Sequence, residues 1–526
     1  MTQSFHQGFL RDDTTGALVV SGGGSGLAQR ATPEAYGAKG DVKYISDAAM
    51  SLSSAVLTSA SAPFVLADVG KTIMVRGAGL TADGNTLTAT IASFQSASQV
   101  TLSVAASVAV TANIATYGTD DTAAFKSALN AAVAAAQADG SYYAELTLSA
   151  RGYMIAGAPT VGGATLGNAQ IPLPVIPTTG QKLILAIKGP STAGHVYHWK
   201  QQKPLLSGAT LVSPLLGQTS DATYGLPSVI GGPTKMTALD ATDGTGFSNI
   251  LVHIDGVSVI MPRNPSYVGV DLVRCAQAYV ESLTVVADAN PDSGSAPAGT
   301  QLLTPTNSNG LGLRMPRFQN NDLNEVGSFA CEGFYYGITM SDHFNAKRLA
   351  LIYLNTAMFA QIGAGAEHGI FIHYASVEAT TNGIEVAGNA GGKLPITIAR
   401  LDIEVSGGVT VTDTNSVLTG EIHYAHNAST PPSRSGATNV RIVDDNRARG
   451  TFTAPAVPAS TVAVADSAMP WRDALVVISG GTVTAIVVDG QTEYTSTAQD
   501  RVVLVPTGKT ISITYSVAPT WKWTVL

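Results

Sequence analysis

Two periodicities divide the chain. Between Thr119 and Gly140 the residues Phe125, Ala128, Leu129, Ala132, Val133 and Ala136 recur at three- and four-residue steps, which predicts an amphipathic helix with one narrow apolar stripe. Thr119 is expected as its N-cap, Asp120 and Asp121 as negative charge in its first turn, and Gly140 as the residue that ends it. Almost everywhere else the period is two, in runs such as KTIMVRG, NTLTATIASF and TVTAIVVDG that are bounded by turn-forming residues, and these predict strands. A single helix ahead of several hundred residues of repetitive strand is expected to plug the open end of a solenoid. Its first rung would otherwise expose apolar side chains and unpaired strand edges.

The solenoid carries its own repeat. Gly, aliphatic, any, aliphatic occurs at Gly256, Gly269, Gly310, Gly337, Gly369 and Gly383, at spacings of 13, 41, 27, 32 and 14 residues. Coils of roughly 27 residues, each with two similar strands, account for four of the five, the 32 being one coil plus a short loop. The gap of 41 holds the Pro/Gly/Ser/Thr-rich run from Ala287 to Asn309, expected to leave one face as a long loop. Within the strands Val270, Leu272, Leu311, Leu313, Ile338, Met340, Ile370, Ile372, Ile384 and Val386 are expected to stack inward, while Asp271, Thr339, Phe371 and Glu385 point outward.

The order of three motifs adds a resemblance. YGAKGD at Tyr36 to Asp41, then TDDTAAFKSALNAA, then LTLSARGYMIAG at Leu146 to Gly157 resemble the N-terminal signature of the pectate-lyase-like right-handed parallel β-helix family of bacteriophage tailspike and minor tail proteins. In that family the GAKGD turn usually runs almost directly into the helix; here residues 42 to 118 intervene, and their alternating pattern predicts a small inserted β-barrel or sandwich. The expected fold is therefore all-β, a right-handed parallel β-helix with one capping helix and small accessory β domains. Residues 1–30 are read as an attachment arm with a Gly/Ser tether, 31–118 as a head region, 119–140 as the capping helix and 141–405 as the β-helix. Residues 406–450 are read as closing coils and linker, and 451–526 as a C-terminal β module. ISGGTVTAI and SVAPTW in that module resemble minor tail proteins of phages of actinobacteria.

Composition narrows the chemistry. Charged residues are 13% of 526, with 54 Gly and 25 Pro and a net charge of -8, a turn-rich β composition without the basic clusters that bind nucleic acid. Cys275 and Cys331 are too few for a disulfide scaffold and lack metal-ligand spacing, so they are expected reduced and buried. The N-terminus shows no signal-peptide pattern and no apolar run is long enough to span a membrane. No metal or cofactor motif is present, so none is expected.

Candidate chemistry is sparse. Asp322, Glu325 and Glu332 fall in one coil, Asp342 and His343 at the next turn, and Glu367, His368, His373 and Glu378 one coil on. Glycan hydrolysis needs two facing carboxyls roughly 5–10 Å apart, and β-elimination needs a base with a neutraliser for the uronate. The candidate catalytic residues are Glu332 and Asp342, with His343 as accessory and Glu378 in reserve. Candidate glycan contacts are His195, His198 and Trp199, the outward Asp271, Phe371 and Glu385, and Trp521 with Trp523. Each also has an ordinary reading as a rung-surface, core or interface residue. The resemblance implies a homotrimer in a virion, made in the host cytoplasm, attached through its N-terminal region to other tail proteins and facing a host envelope glycan. Three functions stay open: a glycan-binding adhesin, a depolymerase and a purely architectural tail protein.

Overall fold

The computed structural model describes residues 29–444 and 455–525, together with three short strands before residue 20. Excepted are 62–63, 80–85, 160–167, 178–179, 191–207, 215–226, 232–247, 263–266, 289–309, 317–323, 363–368, 389–394, 404–407, 412–416, 425–433, 436–437, 466–472, 496–499 and 507–508. The Gly/Ser tether and the long loop expected after Ala287 fall largely outside the described residues.

The body is a parallel β-helix. Each coil contributes strand segments to three faces, here A, B and C, as in Ser248–Asp255, Val257–Pro262 and Val268–Asp271. Segments on one face pair in parallel with those of the coils before and after, so that Val257 pairs with Leu283 and Val268 with Leu311. From Cys275–Asp288 onward faces A and B merge into one strand, and Phe344–Ile362 and Ile370–Gly388 run through all three faces. Thr356 and Asn382, neighbours on face C, are 26 residues apart, close to the expected repeat. Three strand segments per coil replace the expected two. The glycine pattern marks different faces: Gly256 precedes a face B strand, Gly369 a face A strand and Gly310 a face C strand, while Gly269 and Gly337 lie within face C strands, in register with Gly312, which the pattern did not mark.

These face C glycines form a column with a steric cause. A Cβ on Gly269 would lie 2.4 Å from Val285 and 2.7 Å from the Gly312 carbonyl; on Gly312 it would lie 2.4 Å from Cys331 Sγ and 2.8 Å from the Gly337 carbonyl. The chain bends here with no room for a side chain inside. All ten residues expected to stack inward are buried, and nine of them share the interior core; Leu311 instead packs with Val268 in a separate cluster against Tyr336, because the bend at Gly312 shifts the alternation there. Both cysteines are free and buried, as expected.

The helix spans Thr122–Ala138 and lays its predicted stripe over the first coil, Phe125 meeting Tyr153 edge-on at 5.0 Å between ring centroids. Its start differs from expectation. Asp121, not Thr119, is the N-cap residue, and no acid lies in the first turn. Thr119 is drawn backward, its N–H and hydroxyl donating to Asp41 at 2.8 and 2.9 Å. Asp120 instead accepts from Thr122 N and from Ala156 N, both at 3.0 Å. Gly140, at φ +73°, takes the left-handed conformation that ends the helix.

The insertion is a closed six-stranded antiparallel barrel, Val110–Gly118 pairing with both Lys43–Met50 and Thr72–Val75. Its two ends bridge to the same strand of the first coil, Asp41 to Gly152 and Asp120 to Met154. Met74 of the barrel packs with Met154, Val212 and Ile260, which form an outward column on face B. The C-terminal residues form two antiparallel sheets, one of four and one of three strands, around Val476, Ile478, Ile486, Ile511, Ile513 and Trp523.

Candidate functional site

Register decides which side chains share a surface. On face B the outward positions stack as Ser258, Thr284, Ala330, Ala350, Ser376 and Asp402. A second column holds Ser282, Ser328 and Arg348. Across the floor from it runs a bulkier column of Ile260, Val286, Glu332 and Ile352. Small residues between taller neighbours leave a shallow open groove along the helix axis, lined by Ser258, Ser282, Thr284, Ser328, Ala330, Arg348 and Ala350. Each coil adds about 4.8 Å of length, so the groove suits an extended ligand.

Polar chemistry at the lower end is internally satisfied. Ser282 Oγ donates to Asp255 at 2.7 Å and accepts from Gly256 N at 2.8 Å. On adjoining face A a ladder of His253, Tyr279, Glu325, Asn345 and Phe371 faces outward. His253 meets Tyr279 ring to ring at 4.9 Å and approaches Glu281 at 3.5 Å. Lys347 Nζ lies 2.8 Å from Glu325, and Phe371, exposed, contacts His373 edge-on at 4.5 Å. Hydroxyls, rings and the exposed Arg348 guanidinium on neighbouring open faces can hydrogen-bond and stack against a sugar polymer.

The expected outward set divides between faces. Asp271, Thr339 and Glu385 lie on face C, whereas Phe371 lies on face A. Equating the two glycine motifs of one coil joined faces that the coil keeps apart. Asp271 pairs with Arg314 at 3.6 Å, and Arg314 is buried with none of its guanidinium nitrogens hydrogen-bonded. Glu385 Oε2 accepts from Asn382 Nδ2 at 3.1 Å and lies 3.4 Å from Thr356 Oγ1. Burial pushes its carboxyl above the ordinary range, and these two partners only partly offset that. Tyr336 stands between Tyr335 and Phe359, with ring centroids 4.8 and 5.3 Å away.

Glu332 ends the strand Asn324–Glu332 and Asp342 follows the face C strand Tyr336–Met340, so the length of that strand, about 13 Å at 3.3 Å per residue, lies between them. The structure does not bring this pair together. Asp342 is a corner residue: its Oδ1 accepts from Gly369 N and His343 N, both at 2.9 Å, and its Oδ2 meets His343 Nδ1 at 3.2 Å, with His343 at φ +55°. Glu378 fares differently. It follows Val377, the partner of Leu351, while Glu332 pairs with Ile352, and the ladder becomes irregular directly beyond Leu351 and Val377; Glu332 and Glu378 thus lie at the same edge of face B, two coils apart. Glu332 is buried and Glu378 half-buried.

Trp521 and Trp523 both turn into the C-terminal core, with Trp521 Nε1 donating to the Pro455 carbonyl at 2.7 Å and Trp523 4% exposed. Neither offers a free platform. His195, His198, Trp199, Asp322, Glu367 and His368 lie outside the described residues. Among the described residues no group of three His, Cys, Asp or Glu side chains converges as a metal site, and no helix is long and apolar enough to cross a membrane. Sequence reading missed Arg314 and Arg348, because their settings are made by coils above and below and no local motif marks them. No family model, curated protein or solved structure matches this chain.

Proposed function

We propose that this chain is a bacteriophage tail component whose β-helix recognises a host envelope polysaccharide. The observation that carries the reading is the axial groove on face B, with its floor of Ser258, Thr284, Ala330 and Ala350 and its flank of Ser282, Ser328 and Arg348. A trough of hydroxyls parallel to the repeat axis presents the same kind of contact every coil, as a repeating sugar chain requires. The motif resemblance at YGAKGD and TDDT supplies the virion context: a homotrimer joined to other tail proteins through its N-terminal region. The test is retention of the purified chain on extracted envelope polysaccharide of its bacterial host. Binding that Ala350→Trp, which fills the floor, reduces at least tenfold supports the groove; undiminished binding removes it.

A second reading is cleavage of the same glycan. It is favoured by one observation, the placement of Glu332 and Glu378 at the same edge of face B two coils apart, two carboxyls on one surface as an inverting hydrolase needs. Shortening of the polysaccharide in the same incubation distinguishes depolymerase from adhesin.

A further inference from the structure

The charges around the groove are not distributed evenly. At the lower end Asp255 is engaged by Ser282 and Glu281 by His253. At the upper end Lys347 is taken up by Glu325, and Arg400 Nε by Asp402 at 2.8 Å, which also accepts from Tyr374 Oη at 3.0 Å. Arg348 stands between them, exposed, lining the groove directly above Ser328, with no carboxylate partner among the described residues. A guanidinium presents two parallel N–H donors that fit one oxyanion in a bidentate fork. Among the described residues it is the one cation in the groove's lining, and the rest of that lining is glycine, aliphatic and hydroxyl side chains that do not repel an anion.

We infer that the groove takes an anionic polymer, a hydroxylated chain bearing carboxylate or phosphate groups, and that Arg348 is the residue that reads the charge. The inference rests on the reading of the groove as a polysaccharide site and names its substrate class. The anion docks on the Arg348 fork over the coil of Phe344–Ile362, while the neutral hydroxylated part of the chain lies over Ser258, Ser282, Thr284 and Ser328. Lys at this position keeps the charge and loses the fork.

The test uses the full chain with four probes in a binding assay: polygalacturonate for carboxylate, poly(glycerol phosphate) for phosphate, dextran as a neutral chain, and extracted host-envelope polysaccharide. The expected result is that at least one acidic polymer binds tenfold or more tighter than dextran, weakens as salt is raised, and loses that advantage in Arg348→Gln, with Arg348→Lys intermediate. The carboxylate and phosphate arms tell which anion is read. Equal binding of dextran and the acidic polymers, or envelope-polysaccharide binding that Arg348→Gln leaves unchanged, overturns the inference while leaving the groove as a neutral-glycan site. Failure of all four probes to bind overturns the polysaccharide reading itself. Arg348 is exposed, so Arg348→Gln is expected to fold, and an unaltered thermal transition confirms it.

Discussion

The carboxylate of Asp121 accepts the backbone N–H of Lys39 at 2.6 Å, across 82 residues of intervening chain. Its second oxygen takes the N–H of Gly40 at 3.0 Å. With Asp41 holding Thr119, this makes a reciprocal clasp: the turn before the barrel and the segment after it each cap the other's backbone. The clasp explains why YGAKGD and TDDT remain coupled although a barrel separates them. An insertion is tolerated where both its ends are fixed to one strand, here Gly152–Met154. Asp121→Ala leaves two backbone donors without acceptors and is expected to cost about 2 kcal/mol, read by urea unfolding. Asp121→Asn, which keeps one acceptor, should fall between. An unchanged midpoint in both means the clasp contributes nothing.

Acid should open the same region. Burial by itself raises the Asp41 carboxyl, but Lys71, at 2.8 Å, and Thr119 outweigh it and hold it below its ordinary value of 3.8. A depressed carboxyl contributes stability that is present above the unfolded pKa and lost as pH falls through the folded one. Asp121 has the opposite sign: burial dominates and raises it, so ionised Asp121 carries a cost that acidification removes. Removing the cation by Lys71→Met is therefore expected to raise the Asp41 pKa and move the acid-unfolding midpoint upward, followed by circular dichroism. A midpoint that stays in place contradicts the assigned role of Lys71.

The helix and most of the inward ladders were legible because each depends on periodicity within one strand or one helix, and the cysteine burial because two thiols without ligand spacing behave as small apolar residues. The face count was not. Gly269 and Gly337 look like punctuation before a strand, yet their role and that of Gly312 between them are set by Val285, Leu351 and Cys331 on a neighbouring face, which no local pattern reveals. Gly312→Ala is expected to cost about 1–3 kcal/mol through overpacking, and Cys331→Ala in the same chain should recover part of it by removing Sγ. The Gly337 carbonyl at 2.8 Å still opposes the new methyl, so recovery should be incomplete. Full additivity of the two changes in thermal unfolding would show that the column is not sterically closed.

Arg314 and Asp271 tell a similar story on face C. Asp271 was visible as an outward acid, whereas its partner lies one coil away and was not. A buried guanidinium without hydrogen bonds is expensive, and its removal together with its charge is often neutral or stabilising. Arg314→Met is thus expected to change stability by less than about 1 kcal/mol or to increase it, while Asp271→Ala, which strands the cation, should destabilise by about 3 kcal/mol. Chemical denaturation of both variants decides; a large loss in Arg314→Met would mean that the guanidinium has acceptors that stabilise it.

Glu385 and Glu332 separate two kinds of buried acid that sequence alone treats alike. Glu385 is raised by burial above its ordinary 4.5, so its ionised form costs stability at neutral pH, and the cost disappears as pH falls through the folded pKa toward the unfolded one. Glu385→Gln keeps an acceptor for Asn382 and should be neutral or stabilising at pH 7, with no gain below about pH 4. Glu332 lies beside the groove floor, two residues beyond Ala330, at the edge of face B that Glu378 reaches two coils on. If this pair cleaves glycan, Glu332→Gln abolishes shortening of the polysaccharide while retention persists, and Glu378→Gln does the same, because an inverting mechanism needs both an acid and a base. Asp342→Asn should leave turnover intact, since its carboxylate serves the corner at Gly369 from the far end of the strand. Turnover that survives Glu332→Gln and Glu378→Gln but not Asp342→Asn would move the chemistry from face B to that corner.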